Sequence, residues 1–120
     1  MRLAITAQGT TLDSPLDPRF GRARHFVLFD TESETLHTHD NQQNLSAAQG
    51  AGIQAAQTVV CLGASALLTG HVGPKAFAVL RAGNVAVYVG LGGTIRDAIE
   101  QWRSGTLVPA EDADVDGHWA

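Results

Sequence analysis

The 120-residue sequence has one cysteine, Cys61. A single thiol excludes a disulfide framework, and it excludes a cluster site built only from the thiolates of one chain. Cys61 ends an apolar helical run, so it reads as a small core residue. Long hydrophobic runs are also missing, and nothing approaches the ~20 residues of a membrane span. The start, MRLAITAQG, has one basic residue and a short strand-like run that passes into a polar loop. That is unlike a secretory signal. A cytoplasmic protein is therefore expected, with no membrane partner, and Asn44-Leu45-Ser46 is a chance glycosylation match.

Basic charge is in deficit, with 8 Lys and Arg against 12 Asp and Glu and a net charge of −4. Up to Val108 the two signs balance, and Glu111, Asp112, Asp114 and Asp116 carry the surplus. The expected organisation is one α/β domain over residues 1–108 and an acidic, flexible tail over 109–120. The tail reads as solvated chain, with a docking strand for a basic partner as the alternative.

Catalytic signatures are absent as well. There is no GxxxxGK[ST] loop. Gly90-Leu91-Gly92 begins a dinucleotide fingerprint, but Ile95 stands where its third glycine belongs, and the segment follows a late strand. The first strand, Leu3–Ala7, carries no carboxylate from which a two-metal nuclease centre could start. No GxSxG is present, and Cys61 has no evident base partner. The chain is expected not to be an enzyme and not to act on nucleic acid.

What is present is a strand–helix alternation with 44% hydrophobic residues. Strands are expected over Leu3–Ala7, His25–Phe29, Thr35–Thr38, Ser65–Thr69 and Val85–Val89. Helices are expected over Ala47–Leu62, from Pro74 to Ala82, and from the Thr94 cap to Gly105. Asn41–Ser46 reads as polar loop. Pro74 suits a first helical position, and Thr94 with Asp97 suggests a capping box. The alternation in the second half requires parallel strands with right-handed crossovers, and the opening hairpin adds an antiparallel element. His37 and His39 share a strand face and read as an exposed edge.

In open α/β sheets, ligands sit beyond the carboxyl ends of the strands. Three loops should meet there, namely Gln8–Arg24, Gly70–Gly73 and Gly90–Gly93. The latter two run into helix N-termini, which favour anions. Arg19, Arg22, Arg24 and Lys75 are candidates for one basic rim. Gly21, Gly70, Gly73, Gly90, Gly92 and Gly93 are candidates for close main-chain approach. Arg81, Arg96 and Arg103 read as solvated helix faces. His71 stands among glycines just before a helix, where a neutral imidazole can contact or ligate a transition metal.

Three segments carry a resemblance. Asp17-Pro18-Arg19-Phe20-Gly21-Arg22-Ala23, Gly50-Ala51-Gly52-Ile53-Gln54-Ala55-Ala56-Gln57 and Gly70-His71-Val72-Gly73-Pro74-Lys75-Ala76-Phe77 resemble the dinitrogenase iron–molybdenum cofactor biosynthesis family. That family includes NifX, NafY and the C-terminal domain of NifB. In size the chain is similar to the family's orange-protein members, which hold a molybdenum–copper sulfide cluster without covalent attachment. The resemblance implies a ribonuclease-H-like mixed five-stranded sheet flanked by three helices. It implies binding, storage or delivery of an anionic molybdenum–copper sulfide or molybdenum–iron–sulfur cluster, and a partner protein that receives it. With no cysteine near the rim, the cluster is expected to be held by charge, main-chain N–H groups and apolar contact through Phe20 and Val72. His71 is the candidate metal contact. The alternative is a regulatory protein-interaction module that binds no metal.

Overall fold

The computed structural model describes residues 1–41 and 51–111. Eight elements follow in order: β1 Arg2–Ala7, β2 His25–Asp30, β3 Leu36–Asp40, α1 Ala51–Cys61, β4 Ala66–Leu68, α2 Pro74–Ala82, β5 Ala86–Tyr88 and α3 Ile95–Arg103. They form one mixed sheet in the order β3-β2-β1-β4-β5. The pairs β1–β4 and β4–β5 are parallel, whereas β2 runs antiparallel to both β1 and β3. This is the mixed five-stranded, three-helix sheet that the resemblance implies.

Both faces of the sheet are covered, so its central strands are apolar on both sides rather than alternating. On one face Ala4, Phe26, Leu28, Leu67 and Val87 pack against Ala55 and Val59 of α1 and Phe77 and Leu80 of α2. On the other, Leu3, Ile5, Val27, Phe29 and Leu68 meet Ile95, Ala98 and Ile99 of α3. β3 lies at the edge, and His37 is exposed there. No helix among the described residues is long and apolar enough to cross a membrane.

Three readings of the sequence change. Cys61 is exposed, not a core residue. The apolar stripe of α1 is carried by Ala55, Ala56 and Val59, and Cys61 falls off that face. Contacts with the body also extend past the expected boundary at residue 108. Ala110 packs against the core and its N–H donates to Val87 O at 2.7 Å, while Arg81 Nη1 donates to the carbonyl of Glu111 at 2.8 Å. The body therefore continues through Glu111 along edge strand β5, and residues 112–120 lie outside the described ones. Finally, the hairpin's return strand runs Leu36–Asp40 rather than Thr35–Thr38. Residues 42–46 of the expected loop and 47–50 of the expected helix lie outside the described residues.

Asp30 Oδ1 accepts the N–H groups of Glu32 at 2.9 Å and Ser33 at 3.2 Å. Those two bonds favour the charged form and hold its carboxyl below the ordinary value of 3.8. The stabilisation is present above that value and lost as pH falls through the folded pKa. Asp30→Ala should therefore melt below the wild type near neutrality, with the deficit shrinking as pH drops under 3.8. A deficit independent of pH in thermal melts would contradict this.

Candidate anion site at the carboxyl edge of the sheet

The carboxyl ends of β1, β4 and β5 lie on one edge, and the three expected loops do meet there. They are joined by main-chain hydrogen bonds, which extend the sheet beyond its strands. His71 N–H donates to Pro18 O at 2.7 Å, Phe20 N–H donates to His71 O at 3.2 Å, and Gly90 N–H donates to Gly70 O at 2.8 Å. Arg19 and His71 form an isolated parallel bridge. The Gly70–Gly73 segment is thus extended rather than a turn. Gly70 is required by close approach, since a Cβ there would lie 2.6 Å from the carbonyl oxygen of Pro18.

Below the ladder, polar groups tie the long loop to the strand ends. Thr6 Oγ1 donates to Asp17 O at 2.6 Å and lies 2.8 Å from Thr69 Oγ1, and all three residues are buried. Asp17 N–H returns a bond to Thr6 O at 2.9 Å. Asp17 Oδ1 accepts Arg19 N–H at 3.0 Å. Burial pushes the Asp17 carboxyl above its ordinary 3.8, outweighing the opposing effects of the Arg19 N–H and the Arg19 charge. Ionised Asp17 therefore costs stability, a cost that grows as pH rises through its folded pKa. At the other end of the loop, Asn41 Nδ2 donates to Ala23 O at 2.7 Å and Asn41 N–H donates to Arg24 O at 3.0 Å.

The two glycine-led helix starts differ. The start of α3 is closed. Ile95 N–H donates to Ser14 O, Arg96 N–H to Leu12 O, and Asp97 N–H to Thr94 Oγ1, at 3.0, 2.8 and 3.1 Å. Asp97 Oδ2 accepts Thr94 N–H and completes the capping box. Gly93, at φ +79°, keeps the side of Asp97 clear, because a Cβ would come within 2.5 Å of Asp97 Oδ2. The expectation that Gly90–Gly93 opens onto a free helix end is thereby corrected. Its N–H groups are satisfied, and a carboxylate stands beside them. The start of α2 has Gly73 as N-cap, Pro74 in the first turn and no side-chain cap. The positive end of its dipole lies at the same edge as His71.

The other candidates divide. Arg19, Arg24 and Lys75 are exposed, Arg22 and His71 are half-buried, and Gly21 is buried. Arg19 bridges His71 beyond β4, and Arg24 immediately precedes β2. Phe20 and Val72 are 0% exposed and belong to the core. Phe20 stacks on Phe26 with ring centroids 5.8 Å apart. The apolar contact expected of them lies behind the rim, not on its surface. Among the described residues no group of three or more His, Cys, Asp or Glu gathers to hold a metal ion. Charge and main-chain N–H groups are the donor set, which fits an anion better than a bare cation.

In the sequence Asn41 reads only as the start of a polar loop, the Thr6–Thr69 pair carries no signal, and Asp17 stands out only within a motif. The Asp-Pro step before Arg19 was an available signal, because Asp side chains accept the N–H two residues on.

The model of a family described as dinitrogenase iron-molybdenum cofactor matches residues 1–105. The chain is similar to the orange protein of Desulfovibrio gigas, solved in its apo form, with a TM-score of 0.93, 41% identity, and 95% and 96% of the two chains covered. It is also similar to a Thermotoga protein described as NifB-related and of the DUF35 family, with a TM-score of 0.78, 36% identity, and 90% and 91% covered. An uncharacterised protein of Methanocaldococcus jannaschii is 26% identical over 94 residues, covering 77% of this chain and 80% of that one.

Proposed function

Because the chain belongs to the dinitrogenase iron–molybdenum cofactor family, we propose that it holds an anionic, molybdenum-containing metal–sulfur cluster and delivers it to a partner protein without catalysing a reaction. Membership supports cofactor binding or carriage in general. The molybdenum–copper or molybdenum–iron composition and the partner are the finer parts of the proposal. The observation that carries it is the contrast between helix ends. The α2 start lacks a side-chain cap and stands beside His71 and Arg19, while the α3 start is closed by its own capping box. Arg19, Arg22, Arg24 and Lys75 supply positive charge. His71 contacts or ligates the metal. No thiolate lies on the rim, so the cluster's own sulfides complete its coordination and the protein binds it from outside.

The test is retention of colour. Protein purified anaerobically from its native host should carry molybdenum in metal analysis and absorb visible light. The apo protein should retain tetrathiomolybdate, a sulfido-molybdenum dianion, through gel filtration. A colourless native preparation together with no retention of the probe would leave the metal-free interaction module as the better reading. His71→Ala should shift the visible band of the retained probe or weaken its retention. An unchanged spectrum and affinity would remove His71 from the site.

A further inference from the structure

The turn that presents Arg19 depends on a buried carboxylate. Main-chain bonds secure the residues on either side of Arg19. Asp17 is bonded twice to Thr6, Pro18 O accepts from His71, and Phe20 N–H donates to His71 O. None of these holds the N–H of Arg19. That donor goes to Asp17 Oδ1 at 3.0 Å, closing a turn around Pro18. We infer that Asp17 is a positioning residue, whose side-chain acceptor fixes the direction in which Arg19 leaves the loop beside His71. Asp17 does not itself touch the bound anion. It acts through Arg19. The inference rests on the proposed reading of this edge as an anion site.

Why an acceptor rather than a charge sets the geometry follows from the surroundings. Asp17 is 8% exposed, and its main chain is already tied at both ends. A short side chain there reaches the N–H two residues on, as in an Asx turn, and an amide oxygen of the same length reaches it equally. A longer carboxylate keeps the charge but overshoots the turn. Asp17→Asn and Asp17→Glu therefore separate the two properties.

The experiment uses the full chain and tetrathiomolybdate at low salt, with Asp17→Asn, Asp17→Glu, Arg19→Ala and the Asp17→Glu/Arg19→Ala double variant. Thermal melts confirm that each is folded. Arg19→Ala and Asp17→Glu should each weaken binding about twofold to fivefold. The double variant should be no weaker than Arg19→Ala alone, because Asp17 acts through that side chain. Asp17→Asn should stay within about twofold of the wild type. Without the probe, amide exchange at Arg19 should be slow in the wild type and Asp17→Asn and fast in Asp17→Glu. Additive losses in the double variant, or Asp17→Asn losing affinity while Asp17→Glu keeps it, would overturn the inference. Slow Arg19 exchange in a folded Asp17→Glu would overturn it as well. If the wild type does not retain the probe, the proposed cargo falls, and amide exchange alone decides whether Asp17 holds the turn.

Discussion

Replacing Phe20 with alanine should cost about 3–5 kcal/mol of stability. A domain of this size has only about 5–15 kcal/mol in total. Phe20 is fully buried, stacks on Phe26 and shares a core with Ala23, Val72 and Phe77. Its N–H also holds His71 O in the ladder. Truncation leaves a cavity beneath the rim that Phe26 cannot close without breaking its own packing on the sheet. The long loop should then detach before the rest of the domain unfolds, so retention of a sulfido-molybdenum probe should fall even under conditions where the sheet survives. Urea unfolding followed by far-ultraviolet dichroism measures the stability. A loss under about 1 kcal/mol would mean that Phe20 lies at the surface, where its place in an anion-facing motif had put it.

That contrast shows what the sequence made legible and what it did not. β1 and β2 were readable because a strand covered on both faces is a continuous apolar run. Pro74, and Thr94 with Asp97, were readable because caps are side-chain chemistry at fixed spacing. Phe20 and Val72 were not. A motif position says that a residue matters, not whether it matters as surface or as foundation. Closure of the α3 start was only half visible. The Thr94–Asp97 box is in the sequence, but the carbonyls of Leu12 and Ser14 come from a loop some eighty residues earlier. Main-chain acceptors leave no trace in residue type. Cys61 was misread because the helix turns it to the face opposite Ala55, Ala56 and Val59, where Gln54 and Gln57 are also exposed. Asn41, polar in a polar stretch, gave no sign that it staples Ala23 and Arg24 to the end of β3.

Replacing Arg19, Arg22 and Arg24 together by alanine should have the opposite profile, with a larger loss of affinity than of stability. Arg19 and Arg24 are exposed and Arg22 is half-buried. Exposed charge contacts are worth roughly 0.2–1 kcal/mol each, and a partly buried charge-assisted bond about 1.5–3. Summed, the triple variant should bind a sulfido-molybdenum anion about 30-fold more weakly or worse at low salt. The three are not equivalent. Arg19 bridges His71, shortly before the start of α2, whereas Arg24 immediately precedes β2. A compact cluster seated at α2 should feel Arg19 at closer range than Arg24, whose effect salt screens more readily. Arg24→Ala alone should matter at low ionic strength and become silent as salt rises, while Arg19→Ala keeps a residual effect. Isothermal titration across a salt series, with thermal melts as the control for folding, reads both. Unchanged affinity in a folded triple variant at low salt would take the basic rim out of the site. The cargo would then rest on the α2 N–H groups, His71 and Lys75.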